Sequence, residues 1–180
     1  MDNAASGTAR GQAGAEARLL AQAESIIRRA RTAGAVVVLA ESCTGGLAAD
    51  LLAQIPGASE VLWGSFVCYT PDAKIRMLGI EPELLRAFGL VSRETARAMA
   101  AGALEQSGAD LAIAITGLAG PGGDGSGIPL GTIWIGSAYR GSEPQAAVYQ
   151  YQGSRNEIRR MAARGALDAL ERELDKARMP

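Results

Sequence analysis

The sequence contains no histidine, and that absence excludes Ser-His-Asp and Cys-His catalysis together with His-ligated metal sites. Cysteine is scarce as well. Cys43 and Cys68 alone cannot build a disulfide framework or a metal knuckle, so no metal and no cofactor are expected, and a reducing cytoplasm is the simplest home. No apolar run approaches the roughly 20 residues of a membrane span, and no apolar signal segment opens the chain, so no membrane partner is expected. A net charge of −1 offers no electrostatic case for nucleic acid. Lysine is rare too: of 18 basic residues only Lys74 and Lys176 are lysines, leaving 16 arginines. Where this chain needs a surface cation it uses Arg, so a lysine within the body asks for a reason. Lysine can lose its proton and arginine cannot, although an ordinary exposed lysine is the plainer alternative.

What is present describes one globular domain. The chain has 180 residues, 48% of them hydrophobic and 21% charged. Residues 1–14, rich in Ala, Gly, Ser and Thr, are expected to be a disordered tail, and residues 15–176 the domain. The stretch that organises it runs from Val36 to Gly46, Val-Val-Val-Leu-Ala-Glu-Ser-Cys-Thr-Gly-Gly. Its β-branched start reads as a buried parallel-type strand, and Leu47 to Leu52 after the glycines as a helix. Such a strand–turn–helix aims backbone N–H groups and small hydroxyls at one spot beyond the strand end, where ligands bind in open α/β sheets. A Ser/Thr helix cap eased by glycines explains the same residues without a ligand.

Around it the pattern predicts a helix over 16–31, a strand over 61–70 ending near Tyr69, and a helix from 72 to 78 with Pro71 in its first turn. Helices follow over 81–87 and 92–106, then a buried strand over 109–116. A loop from Gly117 to Gly131 holds seven glycines and two prolines. Strands over 132–139 and 145–152 form a hairpin at a sheet edge, and the last helix starts at the capping box Ser154 to Glu157. The order predicts a single-domain three-layer α/β/α sandwich with a mixed sheet of about five strands.

Several motifs fail on context. Gly120-Pro121-Gly122-Gly123-Asp124-Gly125 matches G-x-G-x-x-G, but more glycines and Pro129 follow it instead of a helix. There is no P-loop and no G-x-S-x-G around Ser42. If the first two strands run parallel, however, Ser42, Tyr69 and Lys74 share one rim. A serine, a neutralisable lysine and a phenol, with N–H groups at Gly45 and Gly46, suffice for acyl transfer. The alternative gives each its own structural job: cap, core aromatic and surface charge. Lys74 falls in the first turn of its helix, where the dipole lowers the pKa of an amine. Cys43 is the rival nucleophile, but with no histidine to form its thiolate Ser42 is preferred. Arg155, at the start of the last helix, suits a phosphate, although Arg159 and Arg160 beside it also fit a merely basic exposed face.

Ala40-Glu41-Ser42-Cys43-Thr44-Gly45-Gly46, Tyr69 with Lys74 and Leu78-Gly79, Thr116-Gly117 with Ala119-Gly120-Pro121, and Gly153 with Arg155 together resemble the CinA C-terminal domain. That is the nicotinamide-nucleotide amidase family of competence/damage-inducible proteins, and the resemblance spans about residues 20 to 172. It implies deamidation of nicotinamide mononucleotide to nicotinate mononucleotide and ammonia, with Ser42 as nucleophile, Lys74 as its basic partner and Tyr69 assisting. Thr44, Gly45, Gly46, Thr116, Gly117, Ala119, Gly120 and Arg155 are the expected substrate-binding residues. The chain departs from the family at Thr70-Pro71, where Ser-Asn is usual, at Ile128 before Pro129, where Lys is common, and at Ser154, where Asp is typical. The alternative is a non-catalytic nucleotide-binding or partner-interaction module linked to competence or DNA damage. A homo-oligomer is expected in either case.

Overall fold

The computed structural model describes residues 3–123 and 125–176. Its elements run α1 (Asn3–Ala33), β1 (Val37–Glu41), α2 (Leu47–Ala53), a 3-10 turn (Ala58–Glu60) and β2 (Leu62–Val67). Then come α3 (Pro71–Leu78), α4 (Pro82–Phe88), α5 (Arg93–Ser107), β3 (Leu111–Gly117), β4 (Thr132–Tyr139), β5 (Gln145–Gln150) and α6 (Arg155–Lys176). The expected three-layer sandwich is therefore the observed architecture, with a five-stranded mixed sheet in the order β2-β1-β3-β4-β5. β1 is parallel to both β2 and β3, whereas β3–β4 and β4–β5 are antiparallel, so the terminal hairpin does form one edge.

α1 begins earlier than the helix expected over 16–31. The segment read as a disordered tail over 1–14 is helical from Asn3, as the start of α1, while residues 1 and 2 lie outside the described residues. The stretch holds no proline and is rich in alanine, the best helix former. Once Ala23, Ile26, Ile27 and Ala30 are anchored in the core, extending the helix costs no new nucleation.

The two faces of the sheet are unequal, and this positions the site. On one face Val37, Leu39, Leu111, Ile113 and Ile115 pack against α1, α2 and α6. On the other, Val38, Ala40, Ala112 and Ala114 meet Met99, Ala100 and Ala103 of α5. Small residues on both sides let α5 approach closely: a Cβ on Gly136 of β4 would stand 2.2 Å from the Ala96 carbonyl. Because β1, β2 and β3 are parallel, their C-terminal ends open onto a common rim, where Ser42, Cys68 and Thr116 lie.

Candidate active site

Ser42 prolongs β1 by one residue. Its N–H donates to the Ile115 carbonyl at 2.9 Å, and the Cys68 N–H donates to the Glu41 carbonyl at 2.9 Å. The sheet ladder thus grips the chain on both sides immediately before the turn. Thr70 caps α3, accepting from the Ala73 N–H at 3.1 Å with Pro71 in the first turn, so the departure at Thr70-Pro71 still starts a helix. One turn in, Lys74 sends its side chain back under the rim. It is 1% exposed, and its Nζ lies 2.9 Å from Ser42 Oγ and donates to the Cys68 carbonyl at 2.8 Å.

Burial holds the Lys74 ammonium pKa below its ordinary value. Desolvation is the cause, and the two polar contacts of the amine are neutral oxygens that bring no counter-charge. The rival nucleophile is disarmed by the same physics: burial pushes the Cys43 thiol up to about 11, so it stays protonated at neutral pH.

A cavity of about 170 Å³ opens over this pair. Ser42, Cys43, Lys74 and Tyr69 line one side, and Thr116, Gly117, Ala119, Gly120 and Arg155 the other. Two larger hollows, each about 430 Å³, lie at the opposite end of the sheet around the β4–β5 turn, near Arg140 and Ser142. The candidate site is chosen by the serine and buried lysine rather than by size.

Several expected roles change on inspection. Thr44, Gly45 and Gly46 do not line the cavity. The Gly46, Ala48 and Ala49 N–H groups all donate to the Glu41 carboxylate, at 3.0, 3.1 and 2.9 Å, and the Ser65 hydroxyl donates to it at 3.2 Å. An internal carboxylate therefore occupies the start of α2, the place where the sequence suggested a ligand. The Gly45 N–H donates to the Ser42 carbonyl at 3.1 Å, so neither glycine offers a free donor. Their requirement is conformational: φ of 63° and 96° places consecutive residues in the left-handed region. The Cys43 and Thr44 N–H groups, by contrast, donate to no oxygen among the described residues. The Thr44 hydroxyl is buried without a partner among the same residues.

On the facing wall, Thr116 spends its hydroxyl proton on the Leu90 carbonyl at 2.7 Å, tying β3 to the segment before α5. Gly117 is glycine for packing, since a Cβ there would meet Ile133 Cδ1 at 2.4 Å. Arg155 donates to the Gly120 carbonyl and, at 2.7 Å, to the Tyr69 hydroxyl. Tyr69, 54% exposed, thus stands at the mouth beside Arg155, and among the described residues it makes no hydrogen bond to Ser42 or Lys74. At the start of α6 the Glu157 carboxylate accepts from the Ser154 N–H at 2.8 Å, the half of the capping box that forms. Its pKa is held below the usual range mainly by the Ser154 hydroxyl.

Sequence reasoning missed Glu41 and Arg159. The Glu of Glu-Ser-Cys-Thr-Gly-Gly ends an apolar strand directly before a helix, a signal that could have marked it as the internal cap. Arg159 gave no such signal, because its partners are backbone carbonyls.

The three-layer α/β/α domain thus brings a serine at the end of a parallel strand within 2.9 Å of a buried lysine of α3. Comparison with known proteins identifies the family. The family model of the CinA C-terminal domain matches residues 20–174, and the chain belongs to that family. A CinA-like protein of Akkermansia muciniphila is 45% identical over 131 residues, covering 73% of this chain and 32% of the relative. A CinA-like protein of Geobacter metallireducens is 44% identical over 150 residues, covering 83% of this chain and 36% of the relative. The chain therefore spans about a third of the length of these relatives. Among solved structures, the competence/damage inducible protein CihA from Agrobacterium tumefaciens superposes with a TM-score of 0.83 at 42% identity, over 87% of this chain and 95% of that one. A CinA superfamily protein from Escherichia coli gives 0.82 at 32% identity, over 85% and 88%.

Proposed function

We propose that the domain is an amidohydrolase that converts nicotinamide mononucleotide to nicotinate mononucleotide and ammonia. The observation that supports it most is the Lys74 amine, buried with its pKa held down and 2.9 Å from Ser42 Oγ. Neutral Lys74 accepts the Ser42 hydroxyl proton while Oγ bonds to the carboxamide carbon. The resulting oxyanion rests on the N–H of Cys43, a residue that lines the cavity and whose N–H donates to no oxygen among the described residues. As the C–N bond breaks, Lys74 returns the proton to the nitrogen and ammonia leaves. Water then gives a proton to Lys74 and its oxygen attacks the acyl carbon. The Ser42–acyl bond breaks, releasing the nicotinate group as Ser42 recovers its proton.

The cavity of about 170 Å³ suits the carboxamide-bearing ring, with the phosphate outside it against the Arg155 guanidinium. Arg155 binds there through its side-chain guanidinium, which also donates to the Tyr69 hydroxyl at the cavity mouth.

Ammonia release from nicotinamide mononucleotide by the purified protein tests this reading. Ser42→Ala and Lys74→Ala should each lower turnover by about 10⁴-fold or more. Turnover that survives Ser42→Ala removes the mechanism, and a folded wild type that releases no ammonia removes the substrate.

A further inference from the structure

The turn that carries Ser42 is gripped from two sides by opposite charges. Glu41 takes its N–H groups, as described above. From α6, the Arg159 guanidinium takes its carbonyls, with Nε donating to Cys43 O at 3.1 Å and Nη2 to Thr44 O at 2.7 Å. The remaining polar contact of Arg159 is Asn156 Oδ1 at 3.4 Å, so its charge is directed at backbone carbonyls rather than at a carboxylate. It is half-buried, unlike the exposed Arg160 one residue on.

In a trans peptide the C=O and N–H point in opposite directions. The peptide whose carbonyl Arg159 holds at Cys43 is the one whose N–H belongs to Thr44. With its oxygen drawn toward α6, that N–H is turned away from α6. The peptide before it is treated likewise: the Ser42 carbonyl accepts from the Gly45 N–H at 3.1 Å, and its other end is the Cys43 N–H. Both donors left free are therefore the far ends of peptides already hydrogen-bonded at oxygen. Such chains polarise, leaving the N–H more positive than that of an isolated peptide.

We propose that Arg159 is a positioning residue for catalysis: by holding the Cys43 and Thr44 carbonyls it fixes the turn and, through the Thr44–Gly45 peptide and the bond from the Gly45 N–H to the Ser42 carbonyl, orients and polarises the Cys43 N–H that holds the oxyanion formed at Ser42. The inference rests on Ser42 being the nucleophile but not on which amide is the substrate. Arg159 touches no reacting atom. Its effect belongs to the transition state, where negative charge has moved to the oxygen, and little of it is felt by bound substrate.

A fluorophosphonate probe tests this without any assumed substrate. Ser42 Oγ bonds to phosphorus, the P–F bond breaks, fluoride leaves, and the hydroxyl proton passes to Lys74, while the phosphoryl oxygen calls on the same Cys43 N–H. Labelling rates of wild type, Arg159→Met, Arg159→Gln and the control Arg160→Met are measured beside kcat and KM for nicotinamide mononucleotide. Arg159→Met should lower the labelling rate and kcat by on the order of 10-fold, short of the ~100-fold or more that follows outright loss of an oxyanion donor. KM should stay near the wild-type value. Arg159→Gln, which retains one donor, should fall between, and Arg160→Met should match wild type.

A wild-type labelling rate in Arg159→Met, or a loss confined to KM, overturns the proposal. If Arg159→Met does not fold, wild-type labelling by Arg159→Gln overturns it equally. Labelling that depends on Arg159 in a protein with no nucleotide turnover upholds the positioning role while the substrate reading falls. Absence of labelling at wild-type Ser42 overturns both.

Discussion

Two glycine-bearing segments face each other across the cavity, and they use glycine in opposite ways. The 42–46 turn is closed: Glu41 and Thr44 are fully buried, and every backbone N–H of the turn but those of Cys43 and Thr44 has an acceptor among the described residues. The 117–131 loop is tied at its base, where the Leu118 N–H donates to the Thr132 carbonyl and the Gly131 N–H to the Leu118 carbonyl, while Pro121, Gly122 and Gly123 lie exposed. The cation beside each follows suit. Lys74 under the turn is buried and able to lose its proton; Arg155 beside the loop is exposed and keeps its charge. Proton transfer needs an amine of depressed pKa in a fixed place, whereas binding a charged group needs a permanent cation open to solvent. In the proposed mechanism the two walls divide these tasks.

This contrast can be broken most severely at Glu41. Glu41→Ala strips four donors of their acceptor inside the closed wall, so it should cost about 3 kcal/mol or more in denaturant-induced unfolding. A loss below about 1 kcal/mol means the turn does not depend on its internal anion.

The next effect is one of pH and belongs to the Lys74 side alone. Burial places the folded-state pKa of Lys74 below its ordinary 10.5. Between the folded value and 10.5 the unfolded chain holds the proton and the native state does not, so stability rises with pH across that window and falls as pH drops through the folded pKa. Unfolding measured from pH 7 to 10 should show this rise, and Lys74→Met should flatten it. Turnover should also climb with pH as Lys74 becomes neutral, with a midpoint below 10.5. Identical pH slopes in wild type and Lys74→Met contradict the buried neutral amine.

The smallest contrast compares the glycines directly. Gly46→Ala places a side chain at φ 96° and should cost about 1–2 kcal/mol. Gly122→Ala, with open space around its Cβ, should stay within about 0.5 kcal/mol of wild type. Equal costs would mean that the two segments are equally constrained.

The number, order and type of the elements were legible from periodicity and punctuation. β4 falls on 132–139 as expected, and Ser92 caps α5 by accepting from the Thr95 N–H. Strand ends were less legible: β2 stops at Val67 rather than 70, because the chain leaves the sheet where Cys68 gives its carbonyl to Lys74. The Ser42–Lys74 juxtaposition was inferable because parallel strands bring their C-terminal ends together, and because one of only two lysines in an arginine-rich chain stands out.

Donor assignment was not legible. A motif such as Glu-Ser-Cys-Thr-Gly-Gly counts N–H groups without saying which are already taken, and Gly45 and Gly46 prove to be engaged. The amino-acid sequence by itself determined the sandwich and the rim and singled out Lys74, since hydrophobic period, turn chemistry and the scarcity of lysine are local or compositional properties. Only the tertiary structure decided that Glu41 fills the start of α2, that Arg159 grips the turn from 115 residues or more along the chain, and that desolvation lowers the Lys74 pKa. Those outcomes depend on which atoms meet across the fold and how little water is left between them.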